Sequence, residues 1–323
     1  MKSSLLFSNV IDKDVFISFV IPTYKRTKYL DEAIRSVLSL EGLKDIPYEL
    51  LVINNDPSDR MEEVIEKYRE YSISIYVNQE NYGMIGNVNQ GAILAKGRYI
   101  SFLHDDDFLL SSYLNEISLM LDKNYDCIIP GRYLLSENKI NDKKQIGLNY
   151  IFLYRFLYRK KYGLIKSRDY LYSSKNIYLA PTCGTLFKKQ SLCNFGYFKD
   201  ESGYAWDYYN FRKFNEKYKV GVIRRYISVY RLSSGISNNN QTRLDFYEDQ
   251  RKIIEENENK SKFIKCFSKE INYQYSKLVD GLIVEKPNRM KYLFYLIFTN
   301  VYFYTRNLDI SNYINKEQLD VHR

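Results

Sequence analysis

Two hydrophobic rhythms alternate over the first hundred residues. Val15 to Ile21 is a run of β-branched and aromatic residues ending at Pro22, which predicts a buried strand stopped where the backbone loses an N–H. Leu30, Ala33, Ile34, Val37 and Leu38 then repeat at i, i+3, i+4, i+7 and i+8, the spacing that lines one face of a helix. Glu49 to Asn54 predicts a second strand, and Asp59 with Glu62 has the form of a capping box opening the next helix. Ile73 to Val77 predicts a third strand. A helix from about Met84 to Ala95 leads through Lys96-Gly97 into a fourth strand, Arg98 to Leu103.

Strands alternating with helices predict right-handed crossovers and an α/β fold on a largely parallel sheet flanked by helices. Ligands of such sheets gather at the carboxyl ends of the strands. Here those ends carry Pro22-Thr23-Tyr24, Asn54-Asn55-Asp56 and His104-Asp105-Asp106-Asp107, so polar residues collect along one edge. Beyond about residue 130 the pattern loosens. Residues 139–176 have the composition of a basic, aromatic insertion, helical around Ile151 to Tyr162, and Thr185 to Phe187 and Val220 to Ile223 are short strand-like pieces. From about 241 charged helical segments dominate.

Composition narrows the function classes. With 45% hydrophobic residues in 323, the chain buries a substantial core and is not a disordered segment. The net charge of +9 is uneven, because residues 139–231 hold twenty Lys/Arg against six Asp/Glu. Such a stretch suits solvent, a nucleotide diphosphate, an anionic membrane surface or an anionic lipid-linked acceptor, whereas no nucleic-acid reader motif accompanies it. The four cysteines show no metal-ligand spacing and fit free thiols in a reducing cytoplasm. No signal peptide is expected. The longest apolar run, Tyr292 to Thr305, is short of the roughly 20 residues that span a bilayer, so a soluble or membrane-surface protein is expected.

The sharpest chemical signal is the acidic triplet Asp105-Asp106-Asp107 at the end of the fourth strand. Adjacent carboxylates repel, and holding them ionised in a cleft favours a hard divalent cation with oxygen ligands. The alternative is an acidic turn ahead of a helix. At this point the chain resembles the family 2 glycosyltransferases, inverting enzymes of the GT-A (Rossmann-like) fold. The resemblance rests on Val20 to Arg26, Glu49 to Asp56, Asn81-Tyr82-Gly83 through Asn87 to Ala92, and Gly97 to Leu103 running into the triplet. It is clear over about 16–110 and weaker over 180–235.

That resemblance implies a GT-A domain over 1–235, with a donor part at 15–110 and an acceptor part at about 111–235, followed by a helical C-terminal extension over 236–323. It implies Pro22, Thr23, Tyr24, Arg26, Asn55, Gly86, Asn87 and Asp105 as donor-site residues. It also implies a metal site at Asp106, with Asp107 or Asp105 assisting, for Mn²⁺ or Mg²⁺. Arg231, in a Tyr230-Arg231 pair like one in the family, is expected to contact phosphate. Two departures stand out: Asn54-Asn55 where the family carries acids, and His104 where it often has its first aspartate.

An inverting transfer also needs a general base. Residues 180–231 offer Asp200, Glu201, Asp207 and Glu216, of which Asp207 alone sits among aromatics, beside Trp206, Tyr208 and Tyr209. Asp207 is therefore the expected base. The expected activity is transfer of one sugar from a nucleotide-diphosphate sugar, a UDP-sugar, to a saccharide or lipid-linked glycan acceptor in bacterial-type surface polysaccharide synthesis, in the cytoplasm or on the inner face of the membrane. The alternative is a non-catalytic nucleotide-sugar-binding protein on the same fold.

Overall fold

The computed structural model describes residues 1–10, 14–135, 162–165, 182–201, 203, 206–231, 240–255, 272–273, 275–276 and 278–279. Its ten strands are β1 (Ser3–Ser8), β2 (Ile17–Thr23), β3 (Tyr48–Asn54), β4 (Ile73–Asn78), β5 (Tyr99–Phe102), β6 (Phe108–Leu109), β7 (Cys127–Leu135), β8 (Tyr162–Ile165), β9 (Thr185–Lys188) and β10 (Val220–Arg231). The helices among the described residues are α1 (Thr27–Leu38), α2 (Glu62–Tyr68), α3 (Gly83–Leu94), α4 (Tyr113–Leu121), α5 (Lys189–Phe195), α6 (Trp206–Lys217) and α7 (Asn240–Glu255).

One mixed sheet runs β1-β4-β3-β2-β5-β9-β7-β10-β6, with β8 paired to β10. Its middle is parallel: β4, β3, β2 and β5 are the four strands expected from the apolar runs. β9 enters antiparallel between β5 and β7, and β10 lies parallel to β7. Along β2 the side chains alternate between two cores. Ile17, Phe19 and Ile21 pack with Leu30, Ala33, Ile34 and Val37 of α1, while Val20 packs with Val88 and Ala92 of α3. Both faces are covered, which is why the central strands are apolar at successive positions instead of every second one.

Several local expectations are corrected. β2 does not stop before Pro22 but runs through it to Thr23, pairing Pro22 with Ile53 of β3. The proline is tolerated because the pairing with β5 ends at Val20, so no ladder bond is required of it on that side. Asp59 does not open a capping box. α2 starts at Glu62 behind Met61, and the Asp59 carboxylate accepts the Met61 N–H at 2.8 Å in a local turn. The Leu5-Leu6-Phe7 run forms β1, antiparallel to β4 at the sheet edge. The helix expected over 151–162 and the aromatic run at 292–305 lie outside the described residues, as does most of 236–323. Tyr162 itself opens strand β8. Cys127, Cys183 and Cys193 are free thiols.

Candidate active site

The carboxyl ends of β2, β3 and β5 open onto a cleft of about 290 Å³ lined by Pro22, Thr23, Tyr24, Arg26, Asn55, Asn81, Gly83, Met84, Asn87, Val88, His104 and Asp105. Its floor is a network of neutral amides. Asn55 donates to the Asn81 side chain at 2.7 Å and the Gly83 carbonyl at 3.1 Å, and accepts from Asn78 at 2.8 Å and the Tyr82 N–H at 3.0 Å. A side-chain amide has two donors and two acceptor sites, so Asn55 is saturated. Asn78 donates its second hydrogen to Asn87 at 2.9 Å and accepts the Ser3 hydroxyl at 2.6 Å. Asn87, inside α3, passes the chain on to the Thr23 and Ile53 carbonyls at 3.3 and 3.1 Å. Asn55, expected as a donor-site residue, lines the cleft, and its amide is used in shaping the 78–83 turn.

The other end of the cleft is charged. The Thr23 hydroxyl donates to Asp105 at 2.8 Å, and the Arg26 guanidinium lies 3.4 Å from Asp105 and 2.6 Å from Asp106. β6 follows the triplet and pairs with Ser228 and Val229 of β10, which brings Arg231 alongside. The Arg231 N–H donates to Asp107 Oδ1 at 2.9 Å, and its Nε donates to the Asp106 carbonyl at 2.9 Å. The rest of the Arg231 guanidinium pairs with Glu32 and stacks 4.7 Å over Tyr29. Arg231 therefore holds the acid loop from behind and does not line the cleft. Gly184, at φ +72°, lets β9 begin under the triplet; a Cβ there would stand 2.7 Å from Leu109. Just before it, the Thr182 hydroxyl meets His104 Nε2, and the Cys183 thiol lies beside Asp107.

Burial, reinforced by the Asp106 charge, pushes the Asp105 carboxyl up to about 6 and that of Asp107 well above its ordinary range. Burial also lowers His104 and so favours the neutral imidazole. Asp107 Oδ2 is buried and takes no hydrogen bond. Ligand atoms of His104, Asp106 and Asp107 all lie within 4.8 Å of one another. Mutually repelling carboxylates, an orphaned buried oxygen and a neutral nitrogen fit a divalent cation.

Asp207 lies in the first turn of α6, where its Oδ1 accepts the Tyr208 N–H at 2.7 Å. Burial pushes its carboxyl up to about 7, against the pull of the Arg132 charge. The same Arg132, itself buried on β7, acts on Asp107. One guanidinium thus sits in the field of both the acid loop and the start of α6. The rival carboxylates are differently placed. Glu201 is exposed and is held low by the Tyr209 hydroxyl and Lys199; Glu216 pairs with Arg212 and Lys213.

Of the residues expected from sequence, Pro22, Thr23, Tyr24, Arg26, Asn55, Asn87 and Asp105 line the cleft, and Asp106 and Asp107 cluster with His104. Gly86 is turned elsewhere: a Cβ on it would meet Tyr82 at 2.6 Å and the Met1 sulfur at 3.3 Å, so its smallness serves the packing of α3. Asp207 is not among the lining residues. Sequence reasoning missed Asn78, Asn81, Arg132, Thr182 and the part His104 plays in the cluster. Asn78 ends a parallel strand, so the strand-end rule pointed to it. Arg132 and Thr182 are brought in by strand pairings that leave no periodic signature.

The chain is similar to known glycosyltransferases. The GalNAc(5)-diNAcBac-PP-undecaprenol beta-1,3-glucosyltransferase of Campylobacter jejuni is 33% identical over 113 residues, 34% of this chain and 35% of that protein. The chain spans between a third and a half of the length of the first curated relatives it matches. TarS 1–349 of S. aureus in complex with UDP-GlcNAc superposes with a TM-score of 0.59 at 18% identity, covering 87% of this chain and 80% of that one. The mannosyltransferase PcManGT of Pyrobaculum calidifontis, in complex with GDP-Man and Mn²⁺, gives a TM-score of 0.54 at 12% identity, covering 84% and 76%. At those identities the structures speak for the fold alone. The model of glycosyl transferase family 2 matches residues 18–194, more than half of the chain, and the protein belongs to that family.

Proposed function

We propose that this chain transfers one sugar, with inversion, from a UDP-sugar to a saccharide or lipid-linked glycan acceptor in bacterial-type surface polysaccharide synthesis. The observation that carries the reading is the continuity of the cleft from the ends of β2 and β3 to Asp105, which would bring the diphosphate of a nucleotide laid in it to the acid loop. The Campylobacter relative is named for a PP-undecaprenol substrate and the TarS complex for UDP-GlcNAc, which supports both the acceptor and the donor class.

Pro22, Thr23 and Tyr24, with the turn that Asn55 organises, flank the base and ribose. Tyr24 is 42% exposed at the mouth and offers a face for stacking. Asp106 and Asp107 would hold Mn²⁺ or Mg²⁺. When bound, such a cation neutralises the leaving diphosphate. Arg26, already among the carboxylates, adds a fixed positive charge on the cleft side. Asp207 accepts the acceptor hydroxyl's proton as that oxygen bonds to the anomeric carbon. The bond from that carbon to the diphosphate oxygen breaks, and the nucleoside diphosphate leaves with the electron pair. A carboxyl raised to about 7 is matched to this task near neutral pH.

No helix of the described residues is long and apolar enough to cross a membrane. The PP-undecaprenol substrate named for the Campylobacter relative supports a place in the cytoplasm, peripheral on the inner face of the membrane. Salt-sensitive flotation with anionic liposomes is the expected result; absence of binding removes the membrane part. The activity itself is tested by incubating the protein with Mn²⁺ and a panel of nucleotide sugars, scoring donor hydrolysis and transfer. Binding of donor without turnover under any acceptor would leave a non-catalytic nucleotide-sugar-binding protein.

A further inference from the structure

We propose that His104 is a nitrogen ligand of the divalent cation and tilts the site toward manganese and its later neighbours over magnesium. This rests on the proposed metal-assisted transfer.

Consecutive residues cannot all face one point, and here the convergence skips a position. Asp105 is turned to the cleft, with Oδ2 taking the Thr23 hydroxyl and Oδ1 facing Arg26. His104, Asp106 and Asp107 are the three whose ligand atoms come within 4.8 Å of one another. An independent sign of an unfilled coordination position is Asp107, 1% exposed, whose Oδ1 accepts the Arg231 N–H while the buried Oδ2 takes no hydrogen bond.

An imidazole ligand uses one ring nitrogen for the metal and the other for an orienting hydrogen bond. The Thr182 hydroxyl, buried and in contact with Nε2, is placed to fix the ring. Gly184 permits this, because its positive φ turns the chain so that Thr182 and Cys183 approach the loop. Magnesium demands oxygen donors in near-octahedral array, whereas imidazole suits first-row transition ions. An aspartate at position 104 would make an all-oxygen site; histidine makes a mixed one.

The test reads the ion and not the reaction. Mn²⁺ and Mg²⁺ affinities are measured by titration calorimetry, each ion alone and with UDP, for the parent, His104→Asp and His104→Gln. Pulsed electron paramagnetic resonance of bound Mn²⁺ reports ¹⁴N coupling directly, and circular dichroism checks that each variant is folded. The parent is expected to show coupling to one histidine nitrogen. His104→Asp should lose it while keeping metal, and its preference for Mn²⁺ over Mg²⁺ should fall by roughly tenfold or more. Bound Mn²⁺ without ¹⁴N coupling in the parent, or an unchanged preference in His104→Asp, overturns this inference alone. Failure of the parent to bind either ion, with or without UDP, overturns the metal reading on which it rests.

Discussion

The two ends of the cleft obey opposite rules. At the β2–β3–β4 end, Asn55, Asn78, Asn81 and Asn87 bond to one another and to strand-end carbonyls, and Asn55 has no hydrogen-bonding capacity left over. At the β5 end, Asp105 and Asp107 are shifted up by burial and by Asp106, and one Asp107 oxygen is orphaned; outside the cleft lining, in the first turn of α6, Asp207 is raised to about 7. The first end is complete without ligand and is a shaped surface. The second holds buried, mutually repelling carboxylates and an oxygen without a hydrogen bond, groups that a cation would satisfy. On the proposed mechanism stability and catalysis fall to different parts of the site, and substitutions should separate them.

The largest effect is expected at the charged end. Asp106→Ala, or excess chelator on the parent, should bring transfer down to background while circular dichroism remains native; full turnover in chelator would refute the metal assignment. Asp207→Asn should retain UDP binding yet lower transfer by about 10²–10⁴-fold, the usual contribution of a general base. Parental rates in that variant at saturating acceptor would move the role to another carboxylate. Asp207 also carries a pH signature. Its folded value is raised from 3.8 to about 7, so the stability tied to its neutral form is full below about pH 4 and is lost as pH rises through 7. Activity, needing the charged form, should rise over the same upper range. Asp207→Asn is spared that loss, so its melting temperature should exceed the parent's by about 3 °C or more at pH 8 and match it near pH 4.

The amide end should respond the other way. Asn78→Ala deprives Asn55 and Asn87 of a donor and should cost about 3 kcal/mol in chemical denaturation. Its donor KM should rise by roughly tenfold as the cleft floor loosens, with kcat little changed. A fall in kcat with native stability would erase the distinction between the two ends. The smallest effect sets the scale: Arg69→Ala breaks an exposed ion pair with Glu66, far from both ends, and should shift stability by no more than about 0.5 kcal/mol.

The sequence carried the parallel half of the fold plainly, because each strand there is buried on both faces and the helix that follows the first of them repeats at 3.6. Leu30, Ala33, Ile34 and Val37 are fully buried, as their spacing requires. The antiparallel additions were harder to see. β1 has the exposed, polar-broken pattern of an edge, and β6 is two residues long, too short for any periodicity. The site followed the same division. Residues at parallel strand ends, Thr23, Asn55 and Asp105, were legible from position. Arg132 and Thr182 matter through pairings of β7 and β9 that only the folded chain reveals, and Gly86 was misassigned because a small residue beside a cleft and one beneath a tyrosine look alike in a string of letters.

The clamp made by Arg231 also bears on the order in which this protein comes into being. Its bonds reach Asp107 across 124 residues and Glu32 across 199, whereas the pairings of β2 with β3 and of β3 with β4 join successive strands, and that of β2 with β5, Ile17 with Tyr99, spans 82 residues. Contacts closing such long loops form late. A nascent chain can therefore shape its amide-floored groove well before residue 231 leaves the ribosome, but the acid loop is locked only afterwards. Until then an unfinished chain has the groove proposed for the nucleotide and lacks the clamp on the carboxylates proposed to act on it.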